Sequence, residues 1–368
     1  MPGGKIYEKY NTKKIRESLI KSGIAEKSAN SVKFPEAIEI EKTKDRIVMK
    51  LSAKAIGMCE NARSYSNMQS DDAAFEGWAL LLYAHYAKSG DCNTIELDLT
   101  KDAYEQIENV YKKTKGKYTN TRLHHNRFLY RALRFSQQYK DWFVLSIGLQ
   151  PYIKKFEIYL GKPGLVFTNN IPCDEKPSKI ISNGDKIHEN DVEDVFADLD
   201  WQKNQGATFC KKYGGKLYRQ LPVCLFEGDK PINAKAIFTG KKSAIDLWSC
   251  NNRELNVFEL KYNNKMMGII TELFFYTNYM RDMFCRGKAI NFKCQLPKEN
   301  EPRGYGQFAK ASFTKVNGYM LYDKGKLHQA ITNEVIDLMN KADFSDASAF
   351  TITYGKIEYK VLDRTIEV

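Results

Sequence analysis

The chain has 368 residues, 43% of them hydrophobic and 12% aromatic, and a formal charge of +12. That length accommodates two domains with cores of their own, and the apolar and aromatic content excludes a disordered chain. No apolar run reaches the roughly 18 residues a membrane span needs, and residues 1–9 lack the apolar core of a signal peptide, so a globular cytoplasmic protein without membrane partners is expected.

In chain order, residues 37–41 and 46–51 read as a β-hairpin around Lys42-Thr43-Lys44-Asp45. A helix opens near Ser70 with Asp71 and Asp72 in its first turn. Over residues 73–88 it carries Phe75, Trp78, Leu81, Leu82 and Tyr86 as core positions. Residues 94–99 alternate as a strand, and 101–113 return to helical spacing. Between residues 123 and 139, His124, Arg127, Arg131, Arg134 and Gln138 form one helical stripe, and Phe128, Leu129, Ala132 and Leu133 lie opposite. Such a stripe is either the solvated face of an amphipathic helix or a track for a phosphate backbone.

Turn formers then crowd together at Gly161, Pro163, Gly164, Asn169, Asn170, Pro172 and Asn183-Gly184-Asp185. A junction near residue 170 divides the chain into an N-terminal α/β domain, 1–170, with a recognition or regulatory role, and a second domain, 171–368. In the second, 190–200 and 201–213 read as helices and 217–226 as a strand. A hairpin over 243–262 comes next, and then a helix over 266–284. A strand over 313–322, a helix over 329–341 and a terminal hairpin over 350–362 around Gly355 complete it. No internal repeat or low-complexity segment interrupts this order.

The 243–262 hairpin holds the strongest chemical signal. Two β-prone runs flank Asn251-Asn252-Arg253-Glu254, a four-residue loop. With Cys250 facing Leu255, counting back along the ladder sets Asp246 opposite Glu259. Alternation puts Val257, Glu259 and Lys261 on one face and Phe258, Leu260 and Tyr262 on the other. Two carboxylates across a strand pair, with β-carbons about 5 Å apart, repel unless a cation lies between them. A divalent metal resolves that conflict.

Asp246, twelve residues, then Glu259-Leu260-Lys261 resembles the PD-(D/E)xK nuclease superfamily, which includes type II restriction enzymes. Ile245 stands where that family has proline. The helix that follows carries Glu272-Leu-Phe-Phe-Tyr276, similar to the Gln-x-x-x-Tyr signature of the RecB-like branch with Glu in place of Gln. The resemblance implies a restriction-endonuclease-like core, a mixed β-sheet flanked by helices in the order helix, three strands, helix. It implies a Mg²⁺ site, which Mn²⁺ also fills, made by Asp246, Glu259 and the Leu260 carbonyl. A further acidic ligand comes from Glu193 or Asp194, with Glu227 a third candidate. Lys261 would act with these catalytically, and Glu272 and Tyr276 would support the site. The implied activity is endonucleolytic hydrolysis of DNA, double-stranded by expectation, by a restriction or other defence nuclease acting as a homodimer. The alternative is the same fold without catalysis, a nucleic-acid-binding or scaffolding module.

Charge distribution fits a polyanionic partner. Residues 261–326 hold twelve Lys and Arg against five Asp and Glu, a basic field next to an acidic site. Arg127, Arg131, Arg134, Lys265 and Arg281 are the candidate nucleic-acid contacts. Other chemistries find no support. There is no Gly-x-Ser-x-Gly elbow, Lys235 replaces the first glycine of a phosphate loop ending at Gly240-Lys241-Lys242-Ser243, and five histidines leave little for imidazole catalysis. The eight cysteines form no Cys-x-x-Cys and no His/Cys cluster, so reduced thiols are expected.

Overall fold

The computed structural model describes residues 8–10, 12–21, 23–43, 45–58, 68–86, 90, 92–113, 120–168, 187–228, 232–238, 243–251, 253–285, 303–344, 350–362 and 365–368. Asn169, Asn170, Pro172 and 183–185 of the expected junction, the loop residue Asn252 and the basic residues Arg286, Lys288, Lys293 and Lys298 lie outside them. The chain is mixed α/β and forms two compact units. The first contains Met1–Pro163, Met266–Thr271 and His328–Asp343, and the second Gly164–Lys265, Glu272–Leu327 and Phe344–Val368. Set beside the expected single junction at residue 170, this division falls at Pro163, and two later segments belong with the first unit. Among the described residues no helix is long and apolar enough to cross a membrane.

The first unit is built on a five-stranded sheet in which β1 (Glu8–Tyr10), β2 (Ile38–Lys42), β3 (Arg46–Leu51), β4 (Thr94–Leu99) and β5 (Phe143–Leu145) are adjacent in that order. The β2–β3 pair is the antiparallel hairpin read from the sequence, whereas β3, β4 and β5 run parallel. Helix α1 (Phe75–Tyr86) follows a short turn capped by Ser70, whose Oγ accepts from the Asp72 N–H. It is buried nearly all round, with Phe75, Trp78, Leu81 and Leu82 in the core, so amphipathic patterning is weak there.

Helix α2 (Asn120–Gln138) overturns the expected arginine stripe. Arg131 is buried, its Nε and Nη2 donating to the two Glu76 carboxylate oxygens at 2.6 Å each and Nη2 also to the Ala73 carbonyl. Thr271 donates to Glu76 at 2.9 Å. Arg127 and Gln138 are buried too, and Arg134 donates to Gln137 and lies over the Tyr130 ring. Glu76, hidden in the first turn of α1, is why: a buried carboxylate draws a buried bidentate cation. Arg131→Ala is therefore expected to cost the first unit about 3–5 kcal/mol, because it strands Glu76 in the core. Urea unfolding checks this, and a loss below about 1 kcal/mol refutes it.

In the second unit, α3 (Glu189–Ala197), α4 (Leu199–Lys203) and α5 (Ala207–Lys212) precede β6 (Tyr218–Pro222), β7 (Ala244–Cys250) and β8 (Glu254–Lys261). Helix α6 (Gly268–Cys285), whose first turn belongs to the first unit, leads to β9 (Lys315–Asp323), β10 (Thr351–Leu362) and β11 (Thr365–Glu367). The sheet order is β11-β10-β9-β8-β7-β6. Strand β9 is parallel to β8 and β10, and the other pairs are antiparallel. A parallel neighbour needs a crossover, and α6 supplies it between β8 and β9. One sheet face, with Leu247, Phe258, Leu260, Leu321 and Tyr359, packs on Val192, Phe196, Trp201 and Phe209 of the first three helices. The other meets α6, where Gly318 leaves room for Leu273 and Thr277.

Three expected elements divide or merge. The 201–213 helix breaks at Gly206, because the Trp201 indole occupies the space a Cβ would need. The 217–226 strand becomes β6 and a separate strand, Cys224–Glu227, in a three-stranded sheet with Leu165–Thr168 and Ala236–Phe238. Gln220, with φ 53°, interrupts the pairing of β6 with β7, which resumes at Leu221 and runs out at Pro222, a residue with no N–H to donate. The terminal segment is one strand, not a hairpin: it runs straight through Gly355, where the Tyr319 ring lies close to the backbone.

Candidate active site

Strand β8 is central in its sheet and buried on both faces, so its polar residues require partners inside the protein. Its register with β7 is the expected one, Cys250↔Leu255 through Leu247↔Phe258. One step further, Asp246 faces Glu259, and there a side chain replaces the ladder. Asp246 Oδ2 accepts from the Leu260 N–H at 2.9 Å. In a strand a residue's N–H and C=O point to the same neighbour, so the Leu260 carbonyl also faces the Asp246 strand.

Lys261 lies at the centre of the cluster. Its Nζ is 2.7 Å from Glu259 Oε1, 3.0 Å from Glu272 Oε2 on α6 and 3.5 Å from Glu189 Oε1 at the start of α3. Glu193, Glu259, Lys261, Glu272 and Tyr276 are only 1–4% exposed, whereas Asp246 is half-buried. Glu259 Oε2 is buried without a hydrogen-bond partner. Of the two α3 candidates, Glu193 shares the field of Asp246 and accepts from Gln220 Nε2 at 2.5 Å, while Asp194 is engaged by Arg219. Glu227 is exposed at the end of its strand in the separate three-stranded sheet.

Burial and like charge set the proton affinities. Burial raises the Asp246 carboxyl to about 7 against the pull of Lys261, with Glu272 adding to the rise. Burial and then Asp246 raise Glu193 to about 8. Burial, Asp246 and Glu272 hold Glu259 well above the carboxylate range. Burial alone would lower the Lys261 ammonium, but Glu259, Glu272 and Asp246 outweigh it and keep it well above 10.5. Tyr276 is held far above the phenol range by burial and Glu259. The site is thus a buried, carboxylate-rich cluster around the Lys261 ammonium.

The orphaned Glu259 oxygen and the crowding of Asp246, Glu193 and Glu259, whose carboxyls burial and like charge push upward, fit a hard divalent cation, which oxygen donors suit. Among the described residues no group of three or more His, Cys, Asp or Glu already stands in metal-holding geometry. A Mg²⁺-type ion needs only one or two carboxylates, with waters completing its shell.

The candidate nucleic-acid contacts fare unevenly. Arg281 is buried, its Nε donating to the Phe350 carbonyl at 3.0 Å and its guanidinium over the Phe344 ring, so it joins Arg127 and Arg131 as an interior residue. Lys265 is exposed. Sequence reasoning missed Glu189, Arg219 and Gln220. Glu189 and Arg219 read as ordinary surface charges, and no local pattern announces a left-handed glutamine. Comparisons with protein-family models, curated proteins and solved structures return no match.

Proposed function

We propose that the protein is a Mg²⁺-dependent nuclease that hydrolyses DNA phosphodiester bonds on a restriction-endonuclease-like core. The observation that carries this reading is the meeting of Asp246, Glu259 and Lys261 on two adjacent strands, with Glu193 and Glu272 added from a helix on each sheet face. The element order supports it: α3, with α4 and α5 behind it, precedes β6, β7 and β8, and α6 leads to β9; two short strands of the separate sheet intervene between β6 and β7, the first three strands are antiparallel and the fourth is parallel after a helical crossover.

Asp246 and Glu259, with the Leu260 carbonyl, would hold the ion, and Glu193 would join them only as the ion binds; the ion would lower the pKa of a water and polarise a phosphate oxygen. Lys261 Nζ, steered by Glu259 and Glu272, orients the attacking water and offsets negative charge on the phosphate. Tyr276, buried on α6, stays neutral beside Glu259 and Glu272. Duplex DNA is the proposed substrate, cut by a restriction or other defence enzyme that acts as a homodimer and works in the cytoplasm.

The deciding experiment incubates wild type, Asp246→Ala and Lys261→Ala with plasmid, linear and single-stranded DNA and RNA, with Mg²⁺, Mn²⁺ or EDTA. Cutting by wild type alone, abolished by EDTA, is the expected result, and the preferred substrate names the class. Cutting that persists in both folded variants rejects the site. Metal-independent DNA binding without cutting supports the binding-module alternative.

A further inference from the structure

Across β7 from Glu259 the sheet contains a second irregularity. Ile245 pairs with Leu221 and Leu247 with Arg219, so the position between them sets Gln220 opposite Asp246, and there the pairing lapses. Gln220 has φ 53°, one of two residues other than glycine with positive φ among those described. A glutamine gains nothing locally from this conformation, which glycine and asparagine tolerate far better. Strain of this kind persists where surroundings enforce it, and it gathers at functional sites. Here the enforcement is visible. Arg303 Nη1 donates to the Gln220 carbonyl at 2.9 Å, and the Arg303 carbonyl accepts from Trp248 Nε1 at 3.1 Å, tying the turned peptide to β7.

The left-handed turn has one consequence for the site: the carboxamide reaches α3, where Nε2 donates to Glu193 Oε2 at 2.5 Å. Arg219, the preceding residue, stands 3.5 Å from the same oxygen. An arginine supplies charge, whereas an amide donor from a fixed backbone supplies direction.

We infer that Gln220 is a positioning residue whose left-handed backbone turns its carboxamide onto Glu193 and fixes that carboxylate beside Asp246. The inference rests on the nuclease reading above and adds to it a residue of the edge strand outside the superfamily motif. Outer-shell partners of metal ligands typically govern affinity by 10–100-fold.

Gln220→Gly and Gln220→Ala separate backbone from side chain. Both lack the carboxamide, so both are expected to bind Mn²⁺, followed by the paramagnetic resonance of the free ion, roughly 10–100-fold more weakly than wild type. Glycine accepts φ 53° and alanine does not, so the glycine variant should melt about 2–4 °C above the alanine variant in the absence of metal. In a Glu193→Gln background, Gln220→Gly should weaken Mn²⁺ binding no further, because the two act through one contact. Glycine-variant affinity within about twofold of a wild type that binds Mn²⁺ overturns the inference alone. An equal further loss in the Glu193→Gln background also overturns it. A wild type that binds no Mn²⁺ overturns the metal site and the inference together.

Discussion

Lys261→Met is expected to destabilise the protein by about 3–5 kcal/mol near pH 8, the cost of removing one partner from a buried ion cluster. Its Nζ lies within 3.5 Å of Glu259, Glu272 and Glu189, and no solvent reaches Glu259 or Glu272 to replace it. The loss should shrink as pH falls. Without the ammonium, the Glu259 carboxyl, already held well above its ordinary range by burial, Asp246 and Glu272, takes up a proton more readily. A group whose folded pKa is raised binds protons in the native state that the unfolded chain releases, so stability in the variant rises as pH drops toward about 5. Urea unfolding at about pH 8 and about pH 5.5 measures both terms. A penalty under about 1 kcal/mol at both pH values would show that the lysine is dispensable to the fold. Glu272→Gln in the same chain should recover part of the loss, since it removes one stranded charge.

Much of the site was legible because strand alternation is strict. The Cys250↔Leu255 register, the face shared by Glu259 and Lys261 and the helix carrying Glu272 and Tyr276 all follow from spacing within about 30 residues. The choice between the two α3 carboxylates was not, because Glu193 and Asp194 are chain neighbours whose difference arises from β6, through Gln220 and Arg219. The arginine stripe misled for a related reason. Helical periodicity shows which residues share a face and not what covers it, and the partner of Arg131 is Glu76, 55 positions away. The interruption at Gln220 and the unbroken strand at Gly355 likewise depend on an arginine and a ring brought in by tertiary packing, whereas the ring against Gly206 is the nearby Trp201.

Asp246→Asn should give two opposite results in one protein, a loss of cleavage on the order of 10³-fold and a gain of stability in metal-free solution above neutral pH. The stability gain follows from the sign of the shifts. Asp246 titrates at about 7 and Glu193 at about 8 in the folded state, both raised first by burial, and both far above their values in an unfolded chain. A raised carboxyl favours the native state fully only below its unfolded pKa of about 4, and that advantage is lost as pH climbs through the folded pKa. Metal-free wild type should therefore lose roughly 1–3 kcal/mol between about pH 5 and about pH 8.5, a slope that Asp246→Asn flattens by removing one titrating group and relieving Glu193. Metal binding follows the reverse order, since a ligand carboxyl must give up its proton: wild-type Mn²⁺ affinity should rise across pH 6–8, and the variant should bind at least 100-fold more weakly throughout. Thermal melts in EDTA and Mn²⁺ titrations over one pH series test both. A variant that is less stable than metal-free wild type at about pH 8.5 would mean that the Asp246 bond to the Leu260 N–H outweighs the repulsion around it.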